Sequence, residues 1–280
     1  MRRSSELTLL AHDGRAIVGA SILLLLVLIA ALAPVLAPHD PEAIDPAASL
    51  AGPSPDHWLG ADQLGRDVVS RLMVGARLSL QISVESVAFA ALAGITLGVL
   101  SSYFAGWIEL IVMSVVDVLL VFPALVLAIT VAAYLGPTVD HIALVIGLVY
   151  MPVFARLAYS VTAVTRQSEF VLAARALGAS HARIILRAIL PNSLASLIVQ
   201  VSLSLGFAVL AESGLSFLGV RVPPPATSWG SEIAAARLTL DKDPLLVVWP
   251  SVTLGLAILS FNVLGDALRD ALDPRLSGHH

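Results

Sequence analysis

Long apolar runs separated by short polar stretches dominate the pattern of this chain. A membrane-spanning helix needs about 20 consecutive apolar residues, because the bilayer core offers no partners for free backbone polar groups. Six runs approach that length, so the pattern predicts an all-α fold, a polytopic membrane bundle of six transmembrane helices. The predicted spans cover residues 16–37, 82–104, 109–133, 142–164, 194–211 with a continuation towards 218, and 245–264.

The first two runs carry further signals. A cleaved signal sequence is the alternative for residues 16–37, but the apolar core of such signals is only about 7 to 15 residues long. We therefore expect a retained span. The second run contains Gly94 and Gly98, together with several alanines. Small residues let membrane helices approach closely, so this run is predicted to pack tightly against a neighbour.

Residues 166–191, between the fourth and fifth spans, have the composition of two short helices. Gly178 permits a chain reversal without the steric cost of a Cβ atom, and Ser180 can cap a second helix. That helix places apolar residues on one face and Arg183 and Arg187 on the other, and we expect Pro191 to end it. The pattern predicts a helix-turn-helix outside the bilayer. A helix lying on lipid headgroups is the alternative.

Composition agrees with a membrane protein and excludes several functions. The chain is 58% hydrophobic and 13% charged, with a mean hydropathy of +0.90, whereas soluble domains carry roughly 25% charged residues. Cysteine is absent, which excludes disulfides, thiolate metal sites and thiol catalysis. The single lysine, Lys242, lies outside any glycine-rich phosphate-binding motif. We expect no ATP binding by this chain alone.

Arginine placement predicts the orientation, because basic residues concentrate on the cytoplasmic side of membrane proteins. With six spans, one side receives Arg2, Arg3, Arg15, Arg166, Arg175, Arg183, Arg187, Arg269 and Arg275. The other receives Arg66, Arg71, Arg77, Arg221, Arg237 and Lys242, together with most of the acidic loop residues. Both termini and residues 166–191 are therefore predicted to be cytoplasmic.

Several short motifs, in order along the chain, carry a family resemblance. They lie at residues 57–67, 173–180, 190–192, 215–219, 228–230 and 260–275. Together they resemble the C-type permease of dipeptide, oligopeptide and nickel ABC importers. The resemblance covers residues 58–276 and implies a multi-pass protein of the bacterial inner membrane. Its implied partners are a second homologous permease, two cytoplasmic ATPases, an extracytoplasmic binding protein and membrane lipid, without nucleic acid.

The resemblance assigns residues 166–191 to a cytoplasmic loop that couples the permease to the ATPase. The residues expected to make that contact are Glu169, Ala173, Ala174, Arg175, Gly178, Ala179 and Ser180. This chain departs from the family at Leu172, where a glutamate is usual, and its nearest acid is Glu169. We also expect an N-terminal part, 1–79, with one span and an extracytoplasmic segment, followed by a core permease part, 80–276.

Three ionisable residues lie in or near predicted spans: Asp117, Arg156 and Glu212. Charged groups are costly in hydrocarbon and usually face a bundle interior or a water path. They are candidates for the substrate path, and pairing of Arg156 with a carboxylate is the alternative. No catalytic residue, metal or cofactor is expected. Asp62 and Asp67 alone fall short of the six to eight oxygens that calcium takes, and the seven histidines are scattered apart from the terminal His279 and His280.

The expected function is import of a small solute, with di- or oligopeptides as the first candidates. Nickel, glutathione and opine import by the same mechanism are alternatives. A transporter driven by an ion gradient, with Asp117 or Glu212 as its ion site, is a hypothesis from another class. A membrane scaffold without transport activity is the third.

Overall fold

The computed structural model describes residues 13–272. Regular structure in that range is helical, apart from an isolated β-bridge between Ala61 and Asp67. The α-helices are α1 Gly14–Leu36, α2 Val68–Phe104, α3 Gly106–Val121, α4 Ala124–Leu135, α5 Val139–Thr165, α6 Glu169–Ala176, α7 His181–Ile184, α8 Leu190–Phe217, α9 Trp229–Ala236 and α10 Leu245–Leu272. A π-helical turn, Ile185–Ile189, joins α7 to α8.

Five helical segments are long and apolar enough to cross a membrane: α1, α2, α5, the continuous segment from α7 to α8, and α10. Helices α3 and α4 meet this requirement only together, and they are bent by 99° at their junction. The bend lies at Phe122 and Pro123, the two residues between the end of α3 and the start of α4. Counting the bent pair as one span gives the six predicted crossings.

The direction of the helices supports that count. Gly94 of α2 lies against Met151 and Phe154 of α5, and Gly98 lies against Ala155 and Ala158. Contacts therefore advance in the same direction along both helices, which means that α2 and α5 are parallel. The chain has to return from the end of α2 to the start of α5, and α3 and α4 provide the return. The predicted close packing at Gly94 and Gly98 is confirmed.

Successive spans alternate in direction, so every loop between spans lies at one of the two ends of the bundle. We call the end that carries residues 166–191 the loop end and the other the far end. Helices α1 and α10 are antiparallel, because Gly19 packs on Ser260 whereas Leu26 and Ala30 lie in the cluster that contains Leu254. Residues 13 and 272 both lie at the loop end. Arg2, Arg3 and Arg275, which are also predicted to lie on this side, are outside the described residues.

The short helix α9 fills the far end of the bundle. Its first residue, Trp229, is fully buried and donates a hydrogen bond from Nε1 to the Leu72 carbonyl at 3.2 Å. Gly230 makes the approach of α9 to α8 possible, since a Cβ there would lie 2.4 Å from Cα of Ser213. Helix α9 thus covers the N-terminal part of α2, which is too polar to face lipid.

Three boundaries differ clearly from the predictions, and one of them is the end of α10, at Leu272 rather than at residue 264. Helix α2 begins at Val68 rather than at residue 82, because Asp67 caps it by accepting from the Ser70 N–H at 2.8 Å. Pro191 does not end a helix, because the Leu190 N–H bonds back to the Ile185 carbonyl and a π-turn absorbs the proline at the start of α8. The boundary between residues 79 and 80 lies inside α2, and the division remains a prediction.

Candidate functional site

Helix α6 ends in a tight reversal at the loop end. The Gly178 N–H bonds to the Arg175 carbonyl and the Ala179 N–H bonds to the Ala174 carbonyl, each at 3.0 Å. This pair of bonds is the Schellman C-cap, and it requires a left-handed residue, which Gly178 supplies with φ of 79°. A Cβ at Gly178 would meet no atom of the described chain within 4 Å. Glycine is needed there for its backbone conformation rather than for space.

The predicted coupling residues divide between two faces of the reversal. Glu169, Ala173, Arg175, Gly178 and Ser180 are exposed, whereas Ala174 and Ala179 are partly buried. Ser180 caps α7 by accepting from the Arg183 N–H at 3.4 Å. The exposed face therefore combines two small side chains, Ala173 and Ser180, with one glycine and charges of both signs. Leu172 is also exposed, at the position where the family resemblance suggests a glutamate.

The inner face of residues 169–190 packs on three spans. Buried Val171, Ile184 and Ile189 form one cluster with Val99 and Tyr103 of α2, Ala158 of α5 and Leu197 of α8. Ala174 and Ala179 pack at its edge. Apolar contacts therefore hold the segment to the ends of three spans.

Tyr103 is the polar link between the segment and α2. Its hydroxyl lies 2.9 Å from Nδ1 of His181, and the Arg175 guanidinium lies 5.2 Å from the centre of its ring. A cation over an aromatic face at this distance is attracted by the ring quadrupole. Arg166 adds a further tie, by donating to the carbonyl of Ser102. Tyr103 is not among the residues predicted from the sequence, because nothing in the local pattern indicates that this tyrosine contacts His181 and Arg175.

The structure separates the three candidate path residues into two places. Arg156 of α5 forms an ion pair with Asp117 of α3, and about half of each side chain is exposed. Glu212 of α8 lies elsewhere, buried near the far end. Its carboxylate accepts from the hydroxyls of Ser79, Ser216 and Ser228 at 3.2, 2.8 and 2.7 Å. Arg156 is therefore paired, as the alternative interpretation held.

A buried network of charged residues at the far end was not predicted from the sequence. Arg71 donates to both carboxylate oxygens of Glu232, with a shortest distance of 2.7 Å, and to the Pro41 carbonyl at 2.9 Å. Thr227 also donates to Glu232, at 2.7 Å. This buried network connects the segment after α1, the start of α2, and α9. The sequence alone predicts Arg71 and Glu232 in separate loops, and only the tertiary contact of α9 with α2 brings them together.

The sequence matches known family models over most of its length. Residues 64–278 match the family model described as the inner membrane component of binding-protein-dependent transport systems. Residues 10–53 match the N-terminal transmembrane domain of oligopeptide transport permease C. The chain is a binding-protein-dependent transport permease.

Relatives and a solved structure agree with the assignment. The permease is 41% identical over 261 residues to the dipeptide transport system permease protein DppC of Alkalihalophilus pseudofirmus, covering 93% of this chain and 86% of that protein. It is 40% identical over 262 residues to the glutathione transport system permease protein GsiD of Pectobacterium atrosepticum, with coverages of 93% and 87%. A chain of the MetNI methionine ABC transporter in inward-facing conformations shares the fold, with a TM-score of 0.60, 18% identity, and coverages of 74% and 97%.

Family membership fixes the general role. The permease is a multi-pass inner-membrane subunit of an ABC transporter and carries substrate rather than catalysing a reaction. A binding-protein-dependent system also implies a substrate-binding protein and an ATPase as partners. The helix bundle described above is therefore the transport element of a larger assembly.

Proposed function

We propose that this permease forms half of the translocation path of an importer for short peptides. A second, homologous permease would form the other half. The two relatives described above are named for dipeptide and glutathione transport, and both substrates are small peptides with charged ends. The identity of about 40% along most of each chain supports the same substrate class here.

The loop end would face the cytoplasm, with both chain termini on that side. Exposed Arg15, Arg175, Arg183, Arg187 and Arg269 all lie at the loop end. The far end has three exposed basic residues, Arg77, Arg237 and Lys242, and its Arg66 and Arg71 are neutralised by Asp62 and Glu232. An excess of free basic charge at the loop end is the asymmetry expected of a cytoplasmic surface.

Residues 166–191 would couple ATP hydrolysis by two partner subunits to the spans. Glu169, Ala173, Arg175, Gly178 and Ser180 would meet the ATPase. On the inner face, the cluster around Val171 and Ile184 would pass the movement to α2, α5 and α8. The observation that carries this proposal is that one short segment presents small exposed residues on one face and packs on three spans with the other.

Asp117 and Arg156 would line the path. They are the more exposed of the candidate residues, and a peptide with a free amine and a free carboxylate could engage each partner of this pair. Glu212 is only 1% exposed and lies behind α9. It would reach the path only if α9 moved away from α8.

Reconstitution tests the proposal. The permease should co-purify with a second permease and two ATPase chains, and vesicles containing this complex and the binding protein should take up a radiolabelled dipeptide only with ATP. Unlabelled glutathione and nickel ions serve as competitors that distinguish the substrate classes. Peptide uptake by this chain alone, driven by an ion gradient without ATP, would instead establish a secondary transporter.

A further inference from the structure

Three side chains from the connection between α1 and α2 converge at the far end of the bundle. His39 follows α1, His57 lies in the connection to α2, and Asp67 is the N-cap of α2. One potential ligand atom from each lies within 4.8 Å of the others. The two imidazole rings are 5.0 Å apart between centroids. The scattered spacing of the histidines along the chain conceals this cluster.

Both rings direct Nδ1 towards the same carboxylate. Nδ1 of His57 lies 3.0 Å from Oδ1 of Asp67, and Nδ1 of His39 lies 3.9 Å from Oδ2. The second distance is too long for a hydrogen bond. A gap therefore remains between Nδ1 of His39 and the carboxylate of Asp67. Asp67 itself is only 2% exposed. An ion held between the rings and the carboxylate would occupy that gap.

Ser70 holds two of the three groups in position. Its N–H and its hydroxyl both donate to Oδ2 of Asp67, at 2.8 and 2.7 Å, and its hydroxyl oxygen accepts from the His39 N–H at 3.0 Å. The backbone of His57 is fixed as well, because its N–H donates to Ser54 Oγ at 3.0 Å. Oδ1 of Asp67 therefore remains directed towards the rings. Outer groups of this kind orient the ligands in metal sites.

We propose that His39, His57 and Asp67 bind a divalent transition-metal ion, with zinc as the best match. Two imidazoles and one carboxylate are a donor set that zinc accepts, with a water molecule in the fourth position. Metal–ligand distances of about 2.0 Å place tetrahedral donors about 3.3 Å apart. His57 and Asp67 already lie near that separation, and His39, whose side chain is 42% exposed, has room to close the rest.

The ion would join three consecutive parts of the chain. His39 belongs to the segment that leaves α1, His57 to the middle of the connection, and Asp67 to the first turn of α2. Binding would fix the whole connection on the far end, next to the Arg71–Glu232 network. Because the ion would bind the folded state and not the unfolded chain, it would also raise the thermal stability of the protein.

Zinc binding by the intact, detergent-purified chain tests the proposal. Every variant should carry His279→Ala and His280→Ala and no histidine tag, since adjacent terminal histidines would bind zinc themselves. The test variants are His39→Ala and Ser70→Ala. The control is His141→Ala, a partly buried far-end histidine outside the cluster, whose Nδ1 lies 3.2 Å from the Gly136 carbonyl.

Isothermal titration and metal analysis after dialysis give the readout. We expect one zinc ion per chain, at least about 100-fold weaker binding in His39→Ala, and about 10- to 100-fold weaker binding in Ser70→Ala. His141→Ala should bind like the parent. Zinc should raise Tm in the parent and not in His39→Ala. Absence of stoichiometric zinc in the parent, or undiminished binding in His39→Ala that still elutes as a folded monodisperse chain, would overturn the proposal.

Discussion

The hydroxyl of Tyr103, near the end of α2, lies 2.9 Å from Nδ1 of His181, the first residue of α7. The same tyrosine ring carries the guanidinium of Arg175, from α6, on its face. One side chain of a span thus contacts both helices of the segment that we propose meets the ATPase. Tyr103 is therefore well placed to transmit movement of that segment into the bundle.

Replacing Tyr103 by phenylalanine should weaken coupling while leaving the complex assembled. The variant keeps the ring under Arg175 and loses only the hydrogen bond to His181, a loss of about 0.5–1.5 kcal/mol. We expect up to about tenfold slower uptake per ATP hydrolysed, with normal ATPase co-purification. Tyr134→Phe, at an almost fully exposed tyrosine, is the matched control. A ratio of uptake to hydrolysis equal to that of Tyr134→Phe would rule out this role.

A methyl group at Gly98 should separate α2 from α5. Its Cβ would lie 2.2 Å from the Ala155 carbonyl oxygen, which belongs to helix backbone and cannot move alone. Overpacking of this kind destabilises by about 1–3 kcal/mol. Gly98→Ala should thus lower Tm in detergent. Gly255→Ala, at an exposed helical glycine whose Cβ would meet nothing within 4 Å, should be neutral or slightly stabilising. Equal Tm values for the two variants would contradict the close packing of α2 on α5 at Gly98.

The Arg71–Glu232 pair should show strong thermodynamic coupling. Both side chains are largely buried, at 6% and 10% exposure, so removing one leaves the other charge without a partner. Breaking a buried pair costs about 3–5 kcal/mol, whereas replacing both residues by apolar ones is often nearly neutral. Arg71→Leu should therefore be less stable than the double variant Arg71→Leu/Glu232→Leu. Thermal unfolding of the two proteins measures this difference, and additive losses would show that the pair contributes little.

The spans were predictable because a helix that crosses the lipid core needs an almost unbroken run of apolar residues. The first and last spans needed no knowledge of their neighbours, and Leu245 was predicted as the start of α10. The start of α2 was missed for the opposite reason. Ser70 and Arg71 lower the local hydropathy, and only α9, packed across them from distant sequence, makes a buried helix there favourable.

The candidate site was predictable only in its local parts. The reversal at Gly178 and the cap at Ser180 depend on neighbours in sequence, and both are observed. The proposed role of Tyr103 depends on contacts with α6 and α7, which lie far along the chain. The proposed site at His39 and His57 depends on how the connection between α1 and α2 folds. The residues next to them in sequence do not indicate those contacts, so the contacts could not be predicted from the sequence pattern.

The distinction between Ala173 and Ala174 determines how the coupling role is best tested. Ala174 is partly buried against the cluster around Val171, so an arginine there would disturb α6 itself. Ala173 is exposed, and an arginine at this position should change the outer face alone. Ala43→Arg, at an exposed alanine of the far end, introduces the same charge where no ATPase would bind.

The most direct test of the account is ATPase co-purification with Ala173→Arg, normalised to the amount of permease in the membrane. An unpaired charge in a closely fitted interface should reduce the ATPase recovered by at least about tenfold, since a loss of about 1.4 kcal/mol suffices. Ala43→Arg should recover normal amounts. If the segment instead rests on lipid headgroups, the added positive charge would be harmless. Normal recovery with Ala173→Arg would contradict the proposal that this loop binds the ATPase.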